Sequence, residues 1–514
     1  MMTGRAAPSR PPFAWPIATA LALALLAAHI AVNATTPYEV HRDEFLYMAM
    51  GDHLRFFRMD FPPFIAVVSI VERALFGDSL VAIRLAPALA ASALVLLAAA
   101  IARELGGGRL AQGLAALFVA VNALFLRPGT LFQPVVFDQL WWTLALYALI
   151  RLRGTQEARW WIAVGVAGGL GLLTKFSILI LGFGILVALI ADAREELRTR
   201  GPWLALAIAL VIGAPSVIGQ LRLGWPLIGQ MRTLQAQQLM HVTYGSFFSF
   251  LIRLGPATLV ALAGLVAMLR DASWRRYRVT GLACAVSLAT VALAKGKPYY
   301  IGPIYPALLA AGCVQLEKLG ANRGARAFRA ATVAAVPLYA AFLVPFGLPI
   351  LPPGPMARYA AASGLTAAVR TNYGTTLPLP QDYADMLGWR DRAILVQHVF
   401  DSLPPEKRAV SVLAGENYGE AGALEFYGPR LGLPRVVSAH GSFWFFGPGD
   451  KPGTVLLTLG VSREDLLKVY DVVTLAAHSH DGWLVDEEQD IDVYVCERPR
   501  ETLQELWPSL AGRN

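Results

Sequence analysis

Apolar residues run in long blocks through the first two thirds of the chain and mix with polar ones in the last third. About eleven blocks are long enough to be read as membrane helices: 14–32, 80–101, 110–126, 135–150, 160–173, 176–190, 203–221, 247–269, 279–293, 299–314 and 330–350. The first follows Arg5 and Arg10, and Val32-Asn33-Ala34 weakly resembles a signal-peptidase site. A cleaved signal is the alternative there, but the block is long enough to span about 30 Å of hydrocarbon and ten more follow, so a retained anchor is the better reading.

With the N-terminus inside, the arginine-rich connections at Arg103 and Arg109, 151–159, 194–200, 270–278 and 318–329 all fall on the cytoplasmic side, as the positive-inside rule requires. The loop 34–79, the connections 127–134 and 222–245, the turn at Lys295 and the whole tail then lie outside. A proline-rich joint, 349–355, separates a membrane domain, 1–350, from a soluble domain, 351–514. In the tail, 408–413, 454–459, 472–476 and 491–496 read as strands, and 381–402 and 462–470 as helices, with Ser462 and Asp465 placed to cap the second. The expected architecture is an α-helical polytopic membrane protein carrying a C-terminal soluble α/β domain on its outer face.

Composition agrees: 56% of residues are hydrophobic and only 16% charged, which a water-soluble domain of this size has no use for. The net charge of +8 is dispersed between apolar blocks instead of forming a stripe, so it reflects membrane topology and argues against a nucleic-acid partner. Three cysteines, Cys284 and Cys313 in apolar blocks and Cys496 in the tail, do not make a disulfide framework.

Chemistry is concentrated on the outer side. The first loop opens with His41-Arg42-Asp43-Glu44 and ends in Asp60-Phe61-Pro62-Pro63; Leu173-Thr174-Lys175 and Lys295-Gly296-Lys297-Pro298-Tyr299-Tyr300 follow, and the tail contributes Glu416-Asn417-Tyr418-Gly419-Glu420 and Tyr427-Gly428-Pro429. With these motifs the chain resembles, over nearly its whole length, the bacterial family 39 glycosyltransferases of the protein-mannosyltransferase and aminoarabinose-transferase superfamily, which have the GT-C fold. The resemblance implies transfer of a sugar, with inversion, from a polyprenyl-phosphate donor to a hydroxyl on a glycolipid, polysaccharide or protein at the periplasmic face of the bacterial inner membrane. It also implies that Asp43 is the base, and that an acid near Asp138 faces the site.

Such a transfer needs a base for the acceptor proton and cations for the departing phosphate. Glu44 is expected to tune Asp43 by like-charge repulsion or to hold a neighbouring group. Asp138 and Asp60 are weaker candidates, explained as well by a helix dipole and by loop anchoring. Phe61 stands where aminoarabinose-transferase-like members often carry a lysine, which argues against that substrate. Lys295 and Lys297, before Pro298 at an expected helix start, are candidate phosphate ligands, with Tyr299 and Tyr300 adding hydroxyls; an ordinary interfacial flank of lysines and aromatics is the competing reading. Arg127, Lys175 and Arg232 read as interfacial anchors.

Other features carry less. Asp490 and Asp492 alternate on a strand, His478 and His480 lack further ligands, and Gly168-Gly169 is a helix-packing signal. No cofactor or metal is expected, because lysines supply the cationic role. The run Phe443-Trp444-Phe445-Phe446 reads as domain core ahead of a membrane-facing loop. A transporter or flippase of lipid-linked sugars is the alternative function. It would show discontinuous helices and intramembrane charges, whereas the ionisable residues here cluster at the block ends.

Overall fold

The computed structural model describes residues 10–320 and 322–511. Each apolar block lies mainly in helix. Among the described residues five helices are long and apolar enough to cross a membrane alone: Trp15–Thr35, Leu85–Glu104, Pro134–Thr155, Gly201–Arg222 and Arg323–Gly347. Counting bent pairs brings the number to seven. Arg109–Val121 and Ala123–Thr130 meet at 56°, because Asn122 leaves helical geometry and its side chain caps the restarted helix through the Leu124 N–H. Tyr244–Arg253 and Pro256–Arg270 meet at 102° across Gly255, whose φ of 62° only glycine adopts freely, and Pro256, which cannot continue the earlier helix. The expected continuous block 247–269 is therefore broken.

Trp160–Thr174 and Ile178–Asp192 are shorter apolar helices. The block 299–314 begins as a 3-10 segment, Pro298–Ile304, and becomes α-helical only over Tyr305–Lys318.

The first loop is itself folded. Arg42–Asp52 is helical and starts in a capping box: His41 Nδ1 accepts the Asp43 N–H at 3.0 Å and the Glu44 carboxylate accepts the His41 N–H at 2.7 Å. A second helix, Phe64–Phe76, leaves Ile70, Val71, Leu75 and Phe76 exposed, the face expected of a helix lying along a membrane surface.

The tail has two parts. A strap, 353–392, packs against the first loop: Glu39 N–H and Arg42 N–H donate to the carbonyls of Met386 and Asp385. Beyond it lies a five-stranded sheet of β1 (Ser411–Gly415), β2 (Val436–Val437), β3 (Val455–Leu459), β4 (Tyr470–His480) and β5 (Asp490–Pro499), in the order β2-β1-β3-β5-β4. β1 is parallel to β2 and β3, whereas β5 is antiparallel to β3 and β4. The crossover from β1 to β2 carries the helix Tyr418–Tyr427.

Two local expectations change. Residues 408–410 belong to a helix, Pro405–Val410, that starts on consecutive prolines, so β1 begins later than expected. The expected helix 381–402 breaks into Gln381–Ala384 and Trp389–Ser402 around Gly388, at φ 74°. Cys496, in the polar tail, is fully buried on β5. In the aromatic run, Phe443 is buried and Trp444 donates to the Trp507 carbonyl, which places both in the domain core.

Candidate active site

Asp43 sits in the first turn of the helix Arg42–Asp52, half-buried where the first loop, the helical bundle and the tail meet. Tyr418, 375 residues further on, donates its hydroxyl to Asp43 Oδ1 at 2.9 Å, and Gln133 donates from Nε2 to Oδ2 at 3.1 Å. Each oxygen keeps one acceptor site. The carboxylate is thus oriented by two donors from different parts of the chain and can still take a proton.

The helix that brings Tyr418 in approaches closely because it is rich in small residues. A Cβ on Gly422 would stand 2.6 Å from the Cβ of Phe45, and one on Gly419 would stand 2.6 Å from Cγ of Arg42. The motif Asn417-Tyr418-Gly419-Glu420-Ala421-Gly422 therefore combines a cap, in which Asn417 accepts from Gly419 and Glu420 N–H, with a flat docking face. Arg42 lies 5.1 Å over the Tyr418 ring and bonds Glu487, fixing the same junction.

Of the two roles expected for Glu44, tuning Asp43 or holding a neighbouring group, its contacts correspond to the second. It is fully buried, its two oxygens take 2.8 Å bonds from Arg84 Nε and Nη2, and they also accept the N–H groups of His41 at 2.7 Å and Phe132 at 2.6 Å. Burial alone would raise its pKa; the Arg84 guanidinium and these donors bring it below the usual carboxylate range. With its acceptor capacity filled, Glu44 ties the first loop to Arg84, at the start of the helix Leu85–Glu104, and has none left for a substrate.

Two cations neighbour Asp43, and a third stands beside one of them. Arg127, half exposed, and Lys297 are both its electrostatic neighbours, and Lys175 neighbours Lys297. Lys175 Nζ lies 4.6 Å over the Tyr300 ring and 5.8 Å over that of Tyr299, so both tyrosines line the same cleft. Burial, with Lys175 beside it, brings the Lys297 ammonium down to about 8.

Lys295 is not part of this group. It is exposed, in a left-handed turn at φ 50°, with its ammonium 5.7 Å over Tyr244. The helix-start anion site expected there is absent too, because Pro298–Ile304 is a short 3-10 segment.

Asp138, on the other side of Lys175, is buried and accepts from Trp142 Nε1 at 3.0 Å and Ser177 Oγ at 2.7 Å. Asp60 is 2% exposed and accepts from Ser442 Oγ at 2.7 Å, which makes it a clamp between the first loop and the tail. Burial raises its carboxyl to about 6.

One trio has metal-ligand composition: the ligand atoms of His41, Asp382 and Asp385 lie within 4.8 Å of one another. It does not fit a cation as arranged. His41 Nδ1 accepts the Asp43 N–H, so the ring proton stays on Nε2, the atom facing the two carboxylates, and Asp382 already pairs with Arg127. The histidines His478 and His480 pair across the strands with Asp492 at 2.8 Å and Asp490 at 2.7 Å, which accounts for all four.

Sequence reasoning did not single out Gln133, and it read Arg127 and Lys175 as anchors. Tyr418 lay within a quoted motif but had no role.

This arrangement is an acid facing a cluster of cations at one end of a helical bundle, under a small α/β tail. Residues 60–218 match the family model of dolichyl-phosphate-mannose-protein mannosyltransferases, a segment that includes Arg84, Arg127, Gln133, Asp138 and Lys175. No curated protein matches the chain. Among solved structures, ArnT from Cupriavidus metallidurans bound to undecaprenyl phosphate is similar at 17% identity and TM-score 0.58, over 93% of this chain and 97% of that one. Its apo state gives 17% and 0.57 over 96% and 99%. The likeness to these two structures extends over nearly the whole chain and shows that it shares their fold.

Proposed function

We propose that the protein transfers a sugar from a polyprenyl-phosphate donor to a hydroxyl acceptor at the periplasmic face of a bacterial inner membrane, the tail lying on that side. The observation that carries this reading is Asp43, oriented by Tyr418 and Gln133, with Arg127 and Lys297 as its cationic neighbours and Lys175 beside Lys297. The acceptor oxygen attacks the anomeric carbon as Asp43 takes its proton. The bond to the donor phosphate breaks on the opposite face, and polyprenyl phosphate leaves carrying the electron pair, so the configuration inverts. The three cations offset the charge developing on that phosphate, and Tyr299 and Tyr300 present hydroxyls beside it. Asp138 holds the wall of the cleft behind Lys175. The acceptor is a glycolipid, polysaccharide or protein, and no divalent metal takes part: chelation is expected to leave the rate unchanged, and a loss restored by a divalent ion would refute that point.

The test is release of free polyprenyl phosphate from a panel of lipid-linked sugars by the purified protein supplied with membrane extract. Release identifies the donor. The two bent helix pairs are a feature a flippase would share. Movement of lipid-linked sugar across vesicles without release by any donor would transfer the assignment to that class.

Two variants probe the site. Tyr418→Phe removes one donor to Asp43 without changing the packing, and it is expected to lower kcat about tenfold with KM for the donor little changed. A fall in KM-dependent rate alone would place Tyr418 in binding instead. Lys297 carries its charge below about 8 and loses it above, so donor affinity is expected to weaken as pH rises through 8. Lys297→Arg keeps the charge and should flatten that limb; an unchanged profile would remove Lys297 from the phosphate.

A further inference from the structure

A cavity of about 670 Å3 lies at the end of the bundle opposite Asp43. The helix Leu85–Glu104 connects the two ends: Arg84 precedes it and bonds Glu44, and Glu104, 20 residues on, lines the cavity, a separation of about 30 Å at 1.5 Å per residue. Four cations, Arg10, Arg103, Arg276 and Lys318, surround it with a single carboxylate, Glu104.

That carboxylate is already committed. Glu104 takes 2.8 Å contacts from Arg10 and from Arg151 and lies 3.6 Å from Arg103. Arg276 and Lys318 form no ion pair among the described residues: Arg276 Nε is buried without a hydrogen-bond partner, and the Lys318 ammonium lies 4.7 Å over the Trp274 ring. Three helices, Leu85–Glu104, Pro134–Thr155 and Tyr305–Lys318, end at this cavity. Their C-termini contribute about half a negative charge each, which offsets only part of the excess of three positive charges. The cations border a half-open cavity beside Trp274 and Tyr277, the residue types that mark headgroup depth.

We propose that this cavity binds a phosphate-bearing anion. The lining supplies what such a group requires: guanidinium and ammonium donors in excess of acids, one guanidinium N–H aimed at no protein acceptor, and room for a headgroup. The site is distinct from the transfer centre and its occupancy does not depend on that chemistry.

The full-length protein is reconstituted in phosphatidylcholine nanodiscs. Its melting midpoint and its retained lipids, read by native mass spectrometry, are followed as phosphatidylglycerol is added. The midpoint is expected to rise and saturate, and the half-saturating fraction to increase about fivefold for each of Arg276→Gln and Lys318→Gln. Ser273→Glu, at an exposed position on the rim, places a negative charge at the mouth and should abolish the rise. A saturable rise in pure phosphatidylcholine with inorganic phosphate or pyrophosphate, lost in the same variants, assigns the site to a free anion; loss confined to the phosphatidylglycerol arm assigns it to lipid. No rise with any of these anions, or a rise that all three variants retain, overturns the proposal.

Discussion

Asp43→Asn is expected to reduce release of polyprenyl phosphate by about 100- to 10,000-fold, the range over which a positioned general base contributes. The substitution changes little else. Asparagine has nearly the same shape, its oxygen can accept from Tyr418, and Gln133 can rotate its amide to present an oxygen to the new NH2 group. The variant should therefore fold, keep its melting midpoint near that of the native chain and still bind donor through Arg127, Lys175 and Lys297. Measurement of release, together with donor binding and thermal stability, separates these terms. Native-like release would remove Asp43 from its role, and loss of binding in parallel with rate would make it a binding group instead of a base.

Glu44→Gln is expected to have the largest effect on stability. It leaves the Arg84 guanidinium, itself without solvent exposure, facing a neutral amide in the interior, and breaking a buried pair in this way costs about 3 to 5 kcal/mol. The expected result is a marked fall in denaturant or thermal midpoint. The double variant Glu44→Gln with Arg84→Met removes both charges and should recover part of the loss, because the dominant cost is the orphaned cation. A double variant less stable than Glu44→Gln alone would show that Arg84 stabilises through its contacts with Asn33 and the Glu39 carbonyl instead.

The membrane part of the fold was legible because its signal is local: each apolar block, read from composition alone, lies in helix. The strands β3, β4 and β5 were also legible, since short runs rich in apolar and β-branched residues, 454–459, 472–476 and 491–496, need no knowledge of partners. The crossover helix Tyr418–Tyr427 and the two-residue strand β2 were not, being too short or too glycine-rich for periodicity to declare them. The bends at Asn122 and Gly255 were hidden because hydropathy continues across them while backbone geometry does not.

In the site, the first-loop acid was recoverable from its motif, but the division of labour between Asp43 and Glu44 was not. Adjacent helix residues point about 100° apart, and only the positions of Arg84 and Phe132, distant in sequence, determine which one is saturated. Likewise the spacing of Lys295 and Lys297 gives no sign that one turns outward, a consequence of the left-handed backbone at Lys295.

The separation of 375 residues between Asp43 and Tyr418 has a consequence for biogenesis. A ribosome adding about 5 to 20 residues per second needs roughly 20 to 75 seconds to cover that interval. During that time the first loop is already made but its acid lacks the hydroxyl that orients it. On the proposed mechanism the chain therefore emerges unarmed, and it becomes competent only when the tail domain folds back onto the loop made first.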